Sequence, residues 1–181
     1  MIRRFLDGLY LCSGWLARLF LIAIFVLMMV LSAGRPLGIN IPAGDDFISW
    51  CMAATAFLGL AHTFKHGEMI RVGLLIDRLS DNVRHYVEIA ALLVGVGFIG
   101  FFAWHAAIMT WQSLKFSDIS QGVIAVPLWI PQLGYSGGLV ILFIAFVDEL
   151  VHVARGFAPR YELPKPTSAE EIVERAMQSG V

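Results

Sequence analysis

The chain has 181 residues, 58% hydrophobic and only 15% charged, with a mean hydropathy of +0.74. That balance excludes an ordinary water-soluble domain and makes a bilayer the expected solvent. A formal net charge of -1 gives no footing for nucleic-acid binding. The two cysteines, Cys12 and Cys51, fall in apolar runs that would place them near opposite membrane faces, too far apart for a disulfide, and neither has a metal-ligand spacing. Both read as packing residues.

A helix crossing roughly 30 Å of hydrocarbon needs about 20 mostly apolar residues, and four stretches meet this requirement. The first is residues 9–33. Arg3 and Arg4 precede it as in a signal peptide, but the apolar part far exceeds an h-region of about 7 to 15 residues, so an uncleaved membrane helix is expected. Arg18 is its one costly charge. Gly34, Arg35, Pro36 and Gly38 end it, and Asp45 and Asp46 then open the second helix, where carboxylates complement the positive helix end. That helix, residues 47–64, carries no formal charge and includes Gly59 and Ala61, small enough for close helix contact.

Next comes the only long polar interruption, Lys65 to Glu88. Val72, Leu75, Ile76, Leu79, Val83, Tyr86 and Val87 recur at helical spacing, with charged residues away from that stripe. The pattern predicts an amphipathic surface helix over about 71–87, with a break at Ser80 and Asp81, whose short side chains compete for backbone hydrogen bonds. The third helix, 89–114, contains Gly95, Gly97 and Gly100. A polar loop from Lys115 to Val126 leads to Pro127, Trp129 and Pro131, which mark the start of the fourth, 128–152. Asp148 and Glu149 lie near its end. The predicted fold class is an all-α membrane protein with four transmembrane helices in residues 1–155. Residues 156–181 form a cytoplasmic proline-rich tail, in which Ser168 and Glu171 form a capping-box pattern before a short amphipathic segment.

Lys and Arg placement sets the expected orientation. With the N-terminus inside, Arg3, Arg4, Lys65, Arg71, Arg78, Arg84, Arg155, Arg160, Lys165 and Arg175 are cytoplasmic, against Arg35 and Lys115 outside. Both termini are therefore expected in the cytoplasm.

Three constellations invite functional readings. His62, His105 and His152 raise a haem- or quinone-binding anchor of a respiratory enzyme, but at 1.5 Å per residue His62 and His105 fall near opposite faces, a mismatch with paired axial ligation. Arg18 and the acids Asp148 and Glu149 all fall in the cytoplasmic halves of their helices. An intramembrane charge pair or a snorkelling Arg18 is favoured there over a proton relay, which needs further ionisable groups across the outer half. Lys65, Arg71, Arg78 and Arg84 suit anionic lipid headgroups. Nothing resembles a phosphate-binding loop, a nucleophile with its base, or a metal cluster.

The stretch FLGLAHTFKHGEMIRVGLLIDRL around the inner turn, IAVPLWIPQLGYSGG at the fourth helix, and a short outer loop with Arg35 and then acids resemble the small membrane subunit of tripartite ATP-independent periplasmic (TRAP) transporters, the DctQ-like family. The likeness covers roughly Arg35 to Asp148. Its most specific part is Gly67 to Leu75, above all Arg71 and Val72, supported by Gly59, Pro127 and Trp129. Met69 and Gly73 depart from the family's frequent His and Asp, and an Asp stands before the second helix where Glu is usual. The resemblance implies a non-enzymatic scaffold in a bacterial inner membrane, with no cofactor of its own. It would pair with a large membrane subunit that carries the transport path and the sodium sites. A periplasmic binding protein would deliver substrate, commonly a carboxylate. On that reading Asp45, Asp46 and Asp118 offer an acidic outer surface for docking the binding protein.

Overall fold

The structure, a computed structural model, describes residues 2–38, 42–66 and 81–157. It contains four long helices: α1 (Ile2–Gly34), α2 (Gly44–His66), α3 (Asp81–Phe116) and α4 (Trp129–Ala154). Each is long and apolar enough to cross a membrane. A 3-10 turn at Arg35–Leu37 follows α1 and closes at Gly38, whose left-handed backbone (φ 72°) lets its amide donate to the Arg35 carbonyl.

The helices form a row rather than a closed bundle. α1 packs on α2, α2 on α4, and α4 on α3, with only a marginal contact between α1 and α4. The facing residues give their directions. Ala17 and Gly14 of α1 lie against Gly59 and His62 of α2, and Gly44 lies against Leu31, so α1 and α2 are antiparallel. Gly134 of α4 faces Ala54, Gly138 faces Phe57 and Leu58, and Phe146 stacks on Phe64 at 4.0 Å between centroids, so α2 and α4 run in parallel. Phe143 and Phe146 cover Gly100 and Gly95 of α3, which runs the other way. The start of α1 and the end of α4 therefore share one end of the row with the end of α2 and the start of α3.

The seams are made by size. At Gly138 an added Cβ would lie 2.5 Å from the Phe57 carbonyl carbon and 2.7 Å from the Leu58 nitrogen, so only a glycine lets α4 approach the α2 backbone this closely. Around the seams Tyr10, Ala61, Phe64, Leu92, Leu142, Ala145 and Val153 form the main buried cluster. Hydroxyls are satisfied inside their own helices, as Thr55, Thr63, Thr110 and Ser136 donate to the carbonyls of Cys51, Gly59, Ala106 and Gln132 four residues earlier. Ser13, fully buried, instead donates across the seam to the Leu58 carbonyl.

Three boundaries differ from the sequence expectation. α1 begins seven residues before position 9, because Asp7 is drawn to Lys65 on α2 and the first turns have a neighbour to pack on. α2 gains three residues at its start. Residues 81–87, expected in a separate surface helix, are the first two turns of α3. Asp81 does begin a helix, but nothing between Glu88 and Ile89 breaks it, and Arg84 reaches Glu88 one turn on at 3.4 Å. Residues 71–80 of that predicted helix, and the tail beyond Phe157, lie outside the described residues.

Candidate functional site

A chain of this kind acts through what its ends and faces present. At the end shared by the start of α1 and the end of α4, polar groups gather on an otherwise apolar scaffold. Lys65 of α2 forms an ion pair with Asp7 of α1 and lies over the Tyr10 ring at 4.7 Å. Tyr10 is buried, as are Glu88 of α3 and Glu149 of α4. Glu88 receives the Arg84 guanidinium at a side-chain exposure of 12% for the arginine and 5% for the glutamate, so this pair is largely withdrawn from solvent. The sequence reading named Lys65, Arg84 and Glu149 but missed Asp7, Tyr10, Ser13 and Glu88. The signal was present: Asp7, Tyr10, Gly14 and Ala17 recur at three- and four-residue spacing, a polar and small stripe on an apolar helix.

The expected pairing of Arg18 with Asp148 or Glu149 is not what the structure brings together. Ala17 faces α2, so Arg18, the next residue, is turned to the exposed side of α1, where its guanidinium lies 5.2 Å from the Trp15 ring centroid. Depth separates them as well. Ala17 is level with Gly59 whereas Phe146 is level with Phe64, which puts the acids about 10 Å closer than Arg18 to the end shared by the start of α1 and the end of α4. Of the proposed headgroup contacts, Lys65 and Arg84 are engaged by carboxylates, and Arg71 and Arg78 lie outside the described residues.

At the opposite end, the 117–128 connection is a defined hairpin-like loop. Ser117 adopts a left-handed backbone (φ 55°) and the Asp118 amide donates to the Ser113 carbonyl at 3.0 Å, a Schellman closure of α3. Ser120 then donates to Val126 at 2.8 Å and Leu128 to Asp118 at 2.9 Å, with Ile119 and Pro127 bridged antiparallel. This holds Pro127 and Trp129 at the start of α4. It also lays Gly122 against the Asp46 carboxylate. Asp45 and Asp46 occupy the first turn of α2, so the structure brings the three acids Asp45, Asp46 and Asp118 to one end.

The broad faces are apolar. In the most apolar stretch of α1 only 6% of residues are buried, against 33% for α4, and Trp15, Leu19, Ile22 and Phe25 are exposed. On α3, Val94, Phe98, Phe101, Trp104 and Trp111 are exposed too. Among the described residues no group of three or more His, Cys, Asp or Glu is placed to hold a metal ion.

The family model described as "Tripartite ATP-independent periplasmic transporters, DctQ component" matches residues 22–156. The chain belongs to the DctQ family. A comparison with curated proteins gave no match. The match spans the second part of α1, from residue 22, and all of α2, α3 and α4, so the helical row holds the DctQ unit, a multi-pass membrane component of a tripartite transporter. Of the residues that carried the resemblance, Gly59 lies where α1 and α2 touch and accepts a hydrogen bond from Thr63 through its carbonyl. Arg35 opens the 3-10 turn, whereas Gly67, Arg71 and Val72 lie outside the described residues. The DctQ assignment gives the haem- or quinone-anchor reading no support, and neither do the histidines. His62 packs against Gly14, His105 lies 4.4 Å from the Phe101 ring centroid, and His152 stacks on Phe157 at 5.1 Å, three separate surroundings.

Proposed function

We propose that this DctQ component is the non-catalytic scaffold subunit of a sodium-coupled secondary transporter that imports carboxylates delivered by a periplasmic binding protein. It resides in a bacterial inner membrane with both termini cytoplasmic. The observation that carries the reading is the family match over the four-helix row. The apolar faces of that row support it, since edge helices this exposed need cover from lipid or from a larger membrane subunit. The large subunit holds the transport path and the sodium ions, and this chain needs no cofactor of its own. Orientation rests on ten cytoplasmic against two outer Lys and Arg residues. A tagged full-length chain is expected to co-purify with a large polytopic protein. Elution alone from native membranes, under detergents that keep other membrane complexes intact, would contradict the reading.

The acidic end fits the docking role. Asp45 and Asp118 are exposed and Asp46 is half-buried, and an exposed cluster of one sign acts mainly on the encounter rate. Reversing all three to Lys is expected to slow substrate delivery several-fold at low salt and much less at 0.5 M salt, where screening acts within about 4 Å. Unchanged initial uptake rates at low salt would remove these residues from docking.

A further inference from the structure

A groove of about 670 Å³ lies between the start of α1 and the end of α4. It belongs to the size class that holds small ligands. Arg3 and Arg155 line its rim, Leu6, Ile144, Val147 and Val151 line its walls, and Asp148, His152 and Phe157 complete it. Its basic residues differ from those nearby. Lys65 and Arg84 are matched by Asp7 and Glu88, but among the described residues neither Arg3 nor Arg155 has a carboxylate partner. Both are exposed and flank the helix ends, where membrane phosphates lie, while the apolar walls run toward the middle of the row. We infer that this groove binds one anionic phospholipid, its phosphodiester between Arg3 and Arg155 and an acyl chain along Val147 and Val151. The charges agree: two exposed guanidinium groups without a carboxylate partner among the described residues suit an anionic phosphodiester. An apolar peptide would leave both guanidinium groups unmatched, and a free phosphate would leave the apolar walls uncovered.

Native mass spectrometry of the full-length chain, alone and in its transporter assembly, tests this with phosphatidylglycerol and phosphatidylcholine as probes. One phosphatidylglycerol is expected to remain bound in preference to phosphatidylcholine. The double variant Arg3→Gln with Arg155→Gln is expected to lower that occupancy at least about tenfold, whereas Arg4→Gln, which removes a neighbouring charge outside the groove, leaves it unchanged. Val147→Trp, which fills the wall without touching a charge, is expected to lower it as well. Equal retention of both lipids, or full occupancy in the double variant, overturns the inference. So does displacement of phosphatidylglycerol by an equal concentration of inorganic phosphate, which would mark an anion site rather than a lipid site.

Discussion

Gly138→Ala is expected to lower the thermal unfolding midpoint of the purified protein, while Gly137→Ala leaves it unchanged or raises it. The two glycines are adjacent in sequence and differ only in what they face. A Cβ on Gly138 meets the backbone of Phe57 and Leu58, with three atoms at 2.5–2.7 Å, whereas one on Gly137 meets nothing within 4 Å. Side chains can rotate away from an intruding methyl, but a helix backbone cannot, so α2 and α4 must separate along the central seam of the row. Overpacking of this kind costs about 1–3 kcal/mol, and here the whole seam shares the shift. At Gly137 the better helix propensity of alanine acts alone, in the stabilising direction by up to about 1 kcal/mol. Equal effects at the two positions, read by thermal denaturation in detergent, would contradict the packing order α1–α2–α4–α3.

The second large effect is expected at the start of α3. Arg84→Leu removes a charged partner from Glu88, which is only 5% exposed, and a buried carboxylate that loses a counter-charge costs about 3 kcal/mol. Glu88→Gln should cost less, about 1 kcal/mol, because it removes the charge together with the need to compensate it. Combining Arg84→Leu with Glu88→Gln is therefore expected to recover part of the stability lost by Arg84→Leu alone. Strict additivity in that double-mutant cycle would show that the 3.4 Å contact does not couple the two residues.

The spanning helices were legible in the sequence because lipid imposes a simple requirement: long apolar runs, broken by Gly34, Pro36, the polar stretch from Lys65 to Glu88 and the residues before Pro127. The start of α3 at Asp81 was only half legible: the short side chains of Ser80 and Asp81 marked a break, but the spanning helix was expected from residue 89. What stayed hidden depends on rotation and on neighbours. Composition placed Arg18 and Asp148 in the same half of the membrane, but a helix turns 100° per residue. Because Ala17 takes the face toward α2, Arg18 is left over Trp15. The extra turns of α1 were hidden because Asp7 gains its partner only when Lys65 arrives from another helix. The row order was hidden too, since which small residue meets which backbone is decided by pairs such as Gly138 and Phe57, not by either residue alone. The acidic end was half legible: Asp45, Asp46 and Asp118 were evident as outer charges, but not the closed 117–128 loop that lays Gly122 on Asp46.

The central claim is that this DctQ component supports transport without performing it. Reconstitution into proteoliposomes with an inward sodium gradient, scored by uptake of a carboxylate delivered by the binding protein, tests it most directly. Uptake is expected only when this chain and the large membrane subunit are both present, with none from this chain alone. Sodium-dependent uptake by this chain alone, or full uptake by the large subunit without it, would contradict the account.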